Sequence, residues 1–217
     1  MTRIVSVLAA MFLACASAFA QAKPAPRDAA LPAAHLDESL PHDRHGGMSV
    51  SAEPYTNPKR SKEKFGKADP LAVGILPVEV IMRNETREPI RIGLRTIQLE
   101  IRGRGARLQG IDWLTVGEVA GAIAHPKGTP APQSRRFPIG VPLPQNDKKT
   151  DKIANILQPL ALDADIVPPM GVVHGFLFFD LGHDLSLLAN ASLYVPDAIS
   201  VTSKKPLIFF EVPLGKP

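Results

Sequence analysis

Val78-Glu79-Val80-Ile81-Met82-Arg83-Asn84 is the stretch that decides the fold class. Val78, Val80 and Met82 alternate with Glu79, Ile81 and Arg83, a period of two that places one set on each face of a β-strand. Asn84-Glu85-Thr86-Arg87-Glu88-Pro89 then reads as a turn, because Pro89 lacks the N–H a central strand needs. Alternation resumes with Ile90, Ile92 and Leu94 against Arg91, Gly93 and Arg95. It then changes parity: Ile97, Leu99 and Ile101 are apolar, with Gln98, Glu100 and Arg102 between them. A parity change without a turn sequence calls for a bulge or a bend from one sheet to another.

Working outward, the last third also reads as strands. Pro168-Pro169-Met170-Gly171 is a turn, and Val172-Val173-His174-Gly175-Phe176-Leu177-Phe178-Phe179 is a nearly continuous apolar run, suited to a strand buried on both faces. A turn with one helical coil is expected over 180–191, short strands over 192–195 and 199–202, and a closing strand over 207–212. Six or seven short strands separated by turn signals predict an all-β, antiparallel sandwich.

The middle, 108–165, reads as an insertion with short helices. Thr115 and Glu118 have the spacing of a capping box for a helix through Ala124. Residues 125–144 are rich in proline and predict an extended surface connection. Ile153, Ile156, Leu157 and Leu160 fall on one helical face, after a cap at Asp147 or Thr150, and Pro159 limits that helix.

The N-terminus reads as an address. Arg3 precedes an apolar run over 4–14, and Ala18-Phe19-Ala20 matches an A-x-A cleavage site, so 1–20 is expected to be a secretory signal peptide. Cleavage there would remove Cys15, the single cysteine. An alternative is lipidation of Cys15, since Phe12-Leu13-Ala14-Cys15 has a partial likeness to a lipobox. The chain would then be lipid-anchored to the membrane. Residues 21–69 are expected to form a long, extended, mostly disordered arm, since prolines are frequent and large apolar side chains few. Within it, Met48-Ser49-Val50-Ser51-Ala52 alternates like a short strand, and 59–67 is a basic run around Phe65. The domain proper is expected over 70–217.

Hydrophobic residues make up 45% of the 217, which suits a folded domain with a real core. The 22 prolines are about twice the usual roughly 5% share. A net charge of +4 is too mild and too spread for a nucleic-acid binder, and an exported address also argues against one. An exported domain of this size can bury enough surface to fold without disulfides.

Two stretches carry a family likeness. The first is Val78-Glu79-Val80-Ile81-Met82-Arg83-Asn84 with Glu88-Pro89-Ile90; the second runs from Pro168 through Phe179. Together the chain resembles uncharacterised exported bacterial proteins with an immunoglobulin-like β-sandwich domain, over about 71–214. The resemblance implies that fold with helical insertions, and brings no functional residues with it.

No catalytic or cofactor motif is present: neither G-x-S-x-G, H-E-x-x-H, C-x-x-C nor a P-loop occurs. No cofactor is therefore expected. Histidines are the sharpest candidates. His35, His42 and His45 cluster with Asp37 and Asp43, and imidazole with carboxylate could hold Zn or Cu; the plainer reading is a solvated polar tail. His174, Asp180, His183 and Asp184 lie along and after one strand, but His174 and Asp180 are about 20 Å apart if extended, too far for one metal. The basic run 59–67 could touch anionic lipid or cell-wall polymers, or be a solvated face. Asn84-Glu85-Thr86 fits the N-glycosylation pattern, and Trp113 is expected in the core. The expected function is a non-catalytic envelope or periplasmic module that binds a protein or surface polymer. The alternative is a metal-binding protein or metal-dependent enzyme using the arm and turn histidines.

Overall fold

A computed structural model describes residues 40–103, 108–126 and 148–215. The expected signal peptide over 1–20, Cys15, Asp37 and the metal candidate His35 lie outside the described residues, as do Asp147 and most of the proline-rich connection.

The chain is mostly β, with three antiparallel sheets and a few short helices. The first sheet has the order β1-β2-β3-β8: β1 (His42–His45), β2 (Met48–Pro54), β3 (Ile75–Asn84) and β8 (Val172–Asp180). The second, smaller sheet is β10-β4-β7: β4 (Ile90–Ile92), β7 (Ile166–Val167) and β10 (Ala198–Ser200). The third is β11-β9-β5-β6: β5 (Gln98–Arg102), β6 (Leu108–Asp112), β9 (Ala191–Val195) and β11 (Phe210–Pro213).

One core lies among all three sheets. Val50, Val80, Met82 and Phe179 from the first, Ile90 and Val167 from the second, and Leu99, Leu193 and Phe210 from the third are all buried in it. β3 is the centre of the first sheet, paired with β2 along Met48↔Asn84 to Pro54↔Val78 and with β8 along Ile75↔Asp180 to Arg83↔Val172. Both of its faces are covered. Val78, Val80 and Met82 face the main core, whereas Ile75 belongs to a second core with Tyr55, Phe65, Phe176 and Phe178.

The parity change between β4 and β5 is made by a 3-10 turn over Leu94–Thr96. Leu94, expected to extend the strand, lies in that turn instead. Three residues of 3-10 geometry rotate the chain so that Ile97, Leu99 and Ile101 are again buried.

The reading of 21–69 as a mostly disordered arm is corrected for its second half. The prolines there delimit elements rather than prevent them. Pro54 ends β2, and Pro58 opens helix α1 (Pro58–Phe65), where a missing N–H costs nothing. The Asn57 side chain accepts from the backbone N–H of Lys59 and Arg60. β2 supplies Met48, Val50 and Ala52 to the main core, and α1 inserts Phe65 into the second. The fold therefore includes strands and a helix well before residue 70.

The expected insertion at 108–165 opens inside a sheet, as β6, and β7 follows directly after it. Between them lie α2 (Val116–Ala124) and α3 (Lys148–Leu157). The capping box forms as read: Thr115 accepts from the Glu118 N–H, and the Glu118 carboxylate accepts from the Thr115 N–H at 2.7 Å. α3 buries Ile153 and Leu157, but Ile156 is 42% exposed, because the helix ends at Leu157, ahead of Pro159, and two residues four apart fill the contact. In the closing stretch β11 covers 210–213 and the Leu207 N–H donates to Ala198 O at 2.7 Å, while Ile208 and Phe209 between them are exposed.

The second core is aromatic. The Phe65 ring packs edge-on against Phe176, centroids 4.9 Å apart, and Tyr55 against Phe176 at 5.0 Å. Replacing Phe65 by Ala should cost about 3–5 kcal/mol through lost burial and a residual cavity, measured by urea unfolding. The Tyr55 hydroxyl donates to Glu79 Oε2 at 2.8 Å. Burial, then that bond to a carboxylate, pushes the phenol from 10.0 up to about 12. The folded state thus favours the protonated phenol. Its stabilising contribution should be complete below pH 10 and lost as pH rises toward about 12. Near-ultraviolet phenolate absorbance, wild type against Tyr55→Phe, should show this phenol ionising only near the upper value.

Candidate functional site

The Asn84 side chain is fully buried at the end of β3. Its Nδ2 donates toward Glu88 O at 2.8 Å, Pro168 O at 3.1 Å and Val167 O at 3.2 Å. Its Oδ1 accepts from the Thr86 N–H at 2.9 Å and hydroxyl at 2.7 Å. One amide therefore folds the 84–89 turn and ties it to the residues entering β8. The same burial withdraws Asn84 from glycosylation in the folded chain.

The turn presents Glu88. Its Oε2 accepts from the Ser203 hydroxyl at 2.8 Å and from the Ser200 hydroxyl, across more than a hundred residues of chain. The Ser200 hydroxyl, then that of Ser203, holds the carboxyl below its usual value of 4.5, with Lys205 adding to the effect. Ser200 is placed by β10, whose residues pair with β4, and the Val201 N–H donates to Pro89 O at 2.9 Å. Both serine protons go to the same oxygen, Oε2.

The third wall is the β1–β2 hairpin. Gly46 and Gly47 have φ of +55° and +78°, the pair of positive values that a two-residue hairpin turn requires. A Cβ on Gly47 would lie 2.8 Å from the Thr86 methyl, so glycine also permits the close approach. His45 next to it is held by Asp43, Nε2 to Oδ1 at 2.8 Å, while Asp43 Oδ2 accepts from the Glu211 N–H. Together the three segments enclose an open cavity of about 580 Å³. Glu88, Ser200 and Ser203 give it a polar side, Pro206, Leu207 and Ile208 an apolar one, with Arg87, Lys205 and His45 also on its lining.

No family model matches the chain, and neither a curated protein nor a solved structure matches it.

The structure separates the other candidates. His42 and His45 are three apart on β1, so they point to opposite faces of the strand. His42 Nδ1 lies 3.0 Å from Leu40 O. Among the described residues no three His, Cys, Asp or Glu side chains come together as a metal site. Asp180 and Asp184 cap turns, accepting from the Gly182 and Ser186 N–H groups, and His183 has a left-handed φ of +69°. His174 lies in one cross-strand row with Ser51 and Ile81, away from those turns. Trp113 is half-buried: its Nε1 donates to Leu94 O at 2.8 Å, and the Arg95 guanidinium lies over its ring.

Of the cavity residues, the sequence points to His45 as a metal candidate and to Thr86 within the glycosylation pattern. Glu88, Ser200 and Ser203 had no local signal, because their contact joins two distant loops.

Glu88, with its depressed carboxyl, stabilises the fold as the anion. That contribution should be present above the usual glutamate range and vanish as pH falls through the lowered value. The Tm difference between wild type and Glu88→Gln should therefore be largest near neutrality and close on acidification.

Proposed function

We propose that this chain is a non-catalytic, exported binding module built on an immunoglobulin-like sandwich, with the Glu88 cavity as its binding site. The strand order supports the fold reading. β2-β3-β8 in one sheet and β6-β5-β9-β11 in another follow the A-B-E and C′-C-F-G orders of such domains, in the same sequence order. β1 and the β4, β7 and β10 strands are then additions to that frame.

The observation that carries the functional reading is the cavity's position. Two of its three walls come from the β3–β5 and β9–β11 connections, the equivalents of the B–C and F–G loops. In variable immunoglobulin domains those loops form the recognition end. The parallel is one of fold, and the chemistry of the lining strengthens it. An acceptor oxygen, an apolar wall and flanking cations suit recognition of a polar ligand or a peptide segment. Neither serine is poised as a nucleophile, since each donates to a carboxylate whose lowered pKa makes it a weak base.

The test is two-dimensional amide NMR of the mature chain against a panel of peptides and soluble envelope-polymer fragments. One class should shift Thr86, Glu88, Ser203 and Leu207 together, be returned unaltered, and bind at least tenfold more weakly to Glu88→Ala, a loss of about 1.4 kcal/mol. Conversion of a panel member to product, or shifts only elsewhere, would sink the reading. Cleavage after Ala20 or lipidation at Cys15 is read separately, by the mass of the protein recovered from the envelope.

A further inference from the structure

A second surface has a different chemistry. From 58 to 68 the chain carries Lys59, Arg60, Lys62, Lys64 and Lys67 against one acid, Glu63. α3 carries Lys148, Lys149 and Lys152 against one acid, Asp151. The two segments are neighbours: α3 packs against the 66–68 turn, and Phe65, Ala68, Ile153 and Leu157 share the second core. The two segments together carry eight cations against two acids, in a chain whose formal charge is only +4.

Three of the nearby acids have partners of their own. Glu53 accepts both guanidinium nitrogens of Arg60, Asp69 accepts the Ser61 hydroxyl at 2.6 Å and the Leu71 N–H, and Glu79 accepts Tyr55. Arg60 is spent on that pairing, and Lys149 donates to Ala124 O at the end of α2. Lys59, Lys62, Lys64, Lys67, Lys148 and Lys152 are exposed and make no ion pair among the described residues. α1 is only about 12 Å long at 1.5 Å per residue, close to the roughly 10 Å screening length at 0.1 M salt, so the charges along it act as one field.

We infer that this lysine layer binds a linear polyanion, a phosphate- or carboxylate-bearing polymer, independently of the Glu88 cavity. A polymer fits better than a lipid surface. Among the described residues a single large exposed apolar side chain, Ile156, lies on these helices, too little to anchor in a bilayer beyond charge.

The probe is long-chain inorganic polyphosphate, titrated calorimetrically into the mature chain. Binding at about 50 mM salt should weaken about a hundredfold by about 200 mM, as release of counterions from four or five contacts requires at a slope of about −0.7 each. The Lys59→Gln/Lys62→Gln/Lys67→Gln triple variant and the Lys148→Gln/Lys152→Gln double variant should each bind at least about tenfold more weakly, with shallower salt slopes. An Arg91→Gln/Arg95→Gln/Lys204→Gln variant loses the same charge elsewhere and should bind within about twofold of wild type. Thermal unfolding confirms that each variant is folded. Equal weakening in the Arg91 variant, no binding at low salt, or binding to phosphatidylglycerol vesicles without binding to polyphosphate would each overturn the inference. Loss of ligand at the Glu88 cavity leaves it standing, since the lysine variants read a separate surface.

Discussion

The amide of Asn84 is the constraint on which the rest depends. A buried primary amide must find partners, since each polar group left unpaired costs about 1–3 kcal/mol. Asn84 meets this by joining the end of β3 to Glu88 in its own turn and to Val167 and Pro168 eighty residues on. That fixes where β4 starts, because the carbonyl of Glu88 is held two residues before Ile90. It also fixes where β8 starts, because Val167 and Pro168 lead into it. The pairings of β4 with β10 and of β3 with β8 then bring Ser200 to Glu88 and build the cavity. A hydrophobic residue at 84 would fill the same space and specify none of this.

β3 transmits that constraint through two environments. Its even-numbered residues enter the core among the three sheets, and its N-terminal odd-numbered residues face the aromatic cluster beneath α1. Such two-sided burial is unusual for an alternating strand, and Glu79 shows how it is accommodated. The carboxylate lies on the second face, half-buried, and accepts the Tyr55 hydroxyl. Arg60 in turn stacks over the Tyr55 ring and pairs with Glu53. The helix is thus docked by rings and by a chain of directed polar contacts, which determine its orientation where apolar contact alone would not.

What the sequence made legible was local. Alternation identified β3 and β5, a nearly continuous apolar run identified most of β8, the Thr115–Glu118 spacing identified α2, and Ile153 with Leu157 identified α3. Each signal rests on residues within a few positions of one another. Order in 42–69 was missed because proline content was read as disorder, when Pro54 and Pro58 mark boundaries; the strand at 48–52 was nonetheless visible in its alternation. The site was illegible for a stronger reason. Glu88 and Ser203 become partners only once β4 and β10 pair, and that pairing joins segments with no sequence pattern in common. The histidines, which carry obvious chemistry, drew attention instead, yet a three-residue offset on β1 turns His42 and His45 apart.

The cavity and the lysine layer are organised from different ends of the same strand. About 17 Å of strand, at 3.3–3.4 Å per residue, separates Glu79 from Asn84. That exceeds the roughly 8 Å screening length at physiological salt. The lysine field therefore does not set the ionisation of Glu88, which is governed by two hydroxyls within hydrogen-bond reach and by Lys205 beside it. The reverse holds too: the lysines outnumber the acids beside them because Glu53, Asp69 and Glu79 are taken up around α1, not because of anything at the cavity. Recognition by directed hydrogen bonds at one end of β3 and by unpaired charge toward the other can accordingly change independently. Substitutions that alter one surface leave the other intact as long as β3, and the amide that terminates it, stay in place.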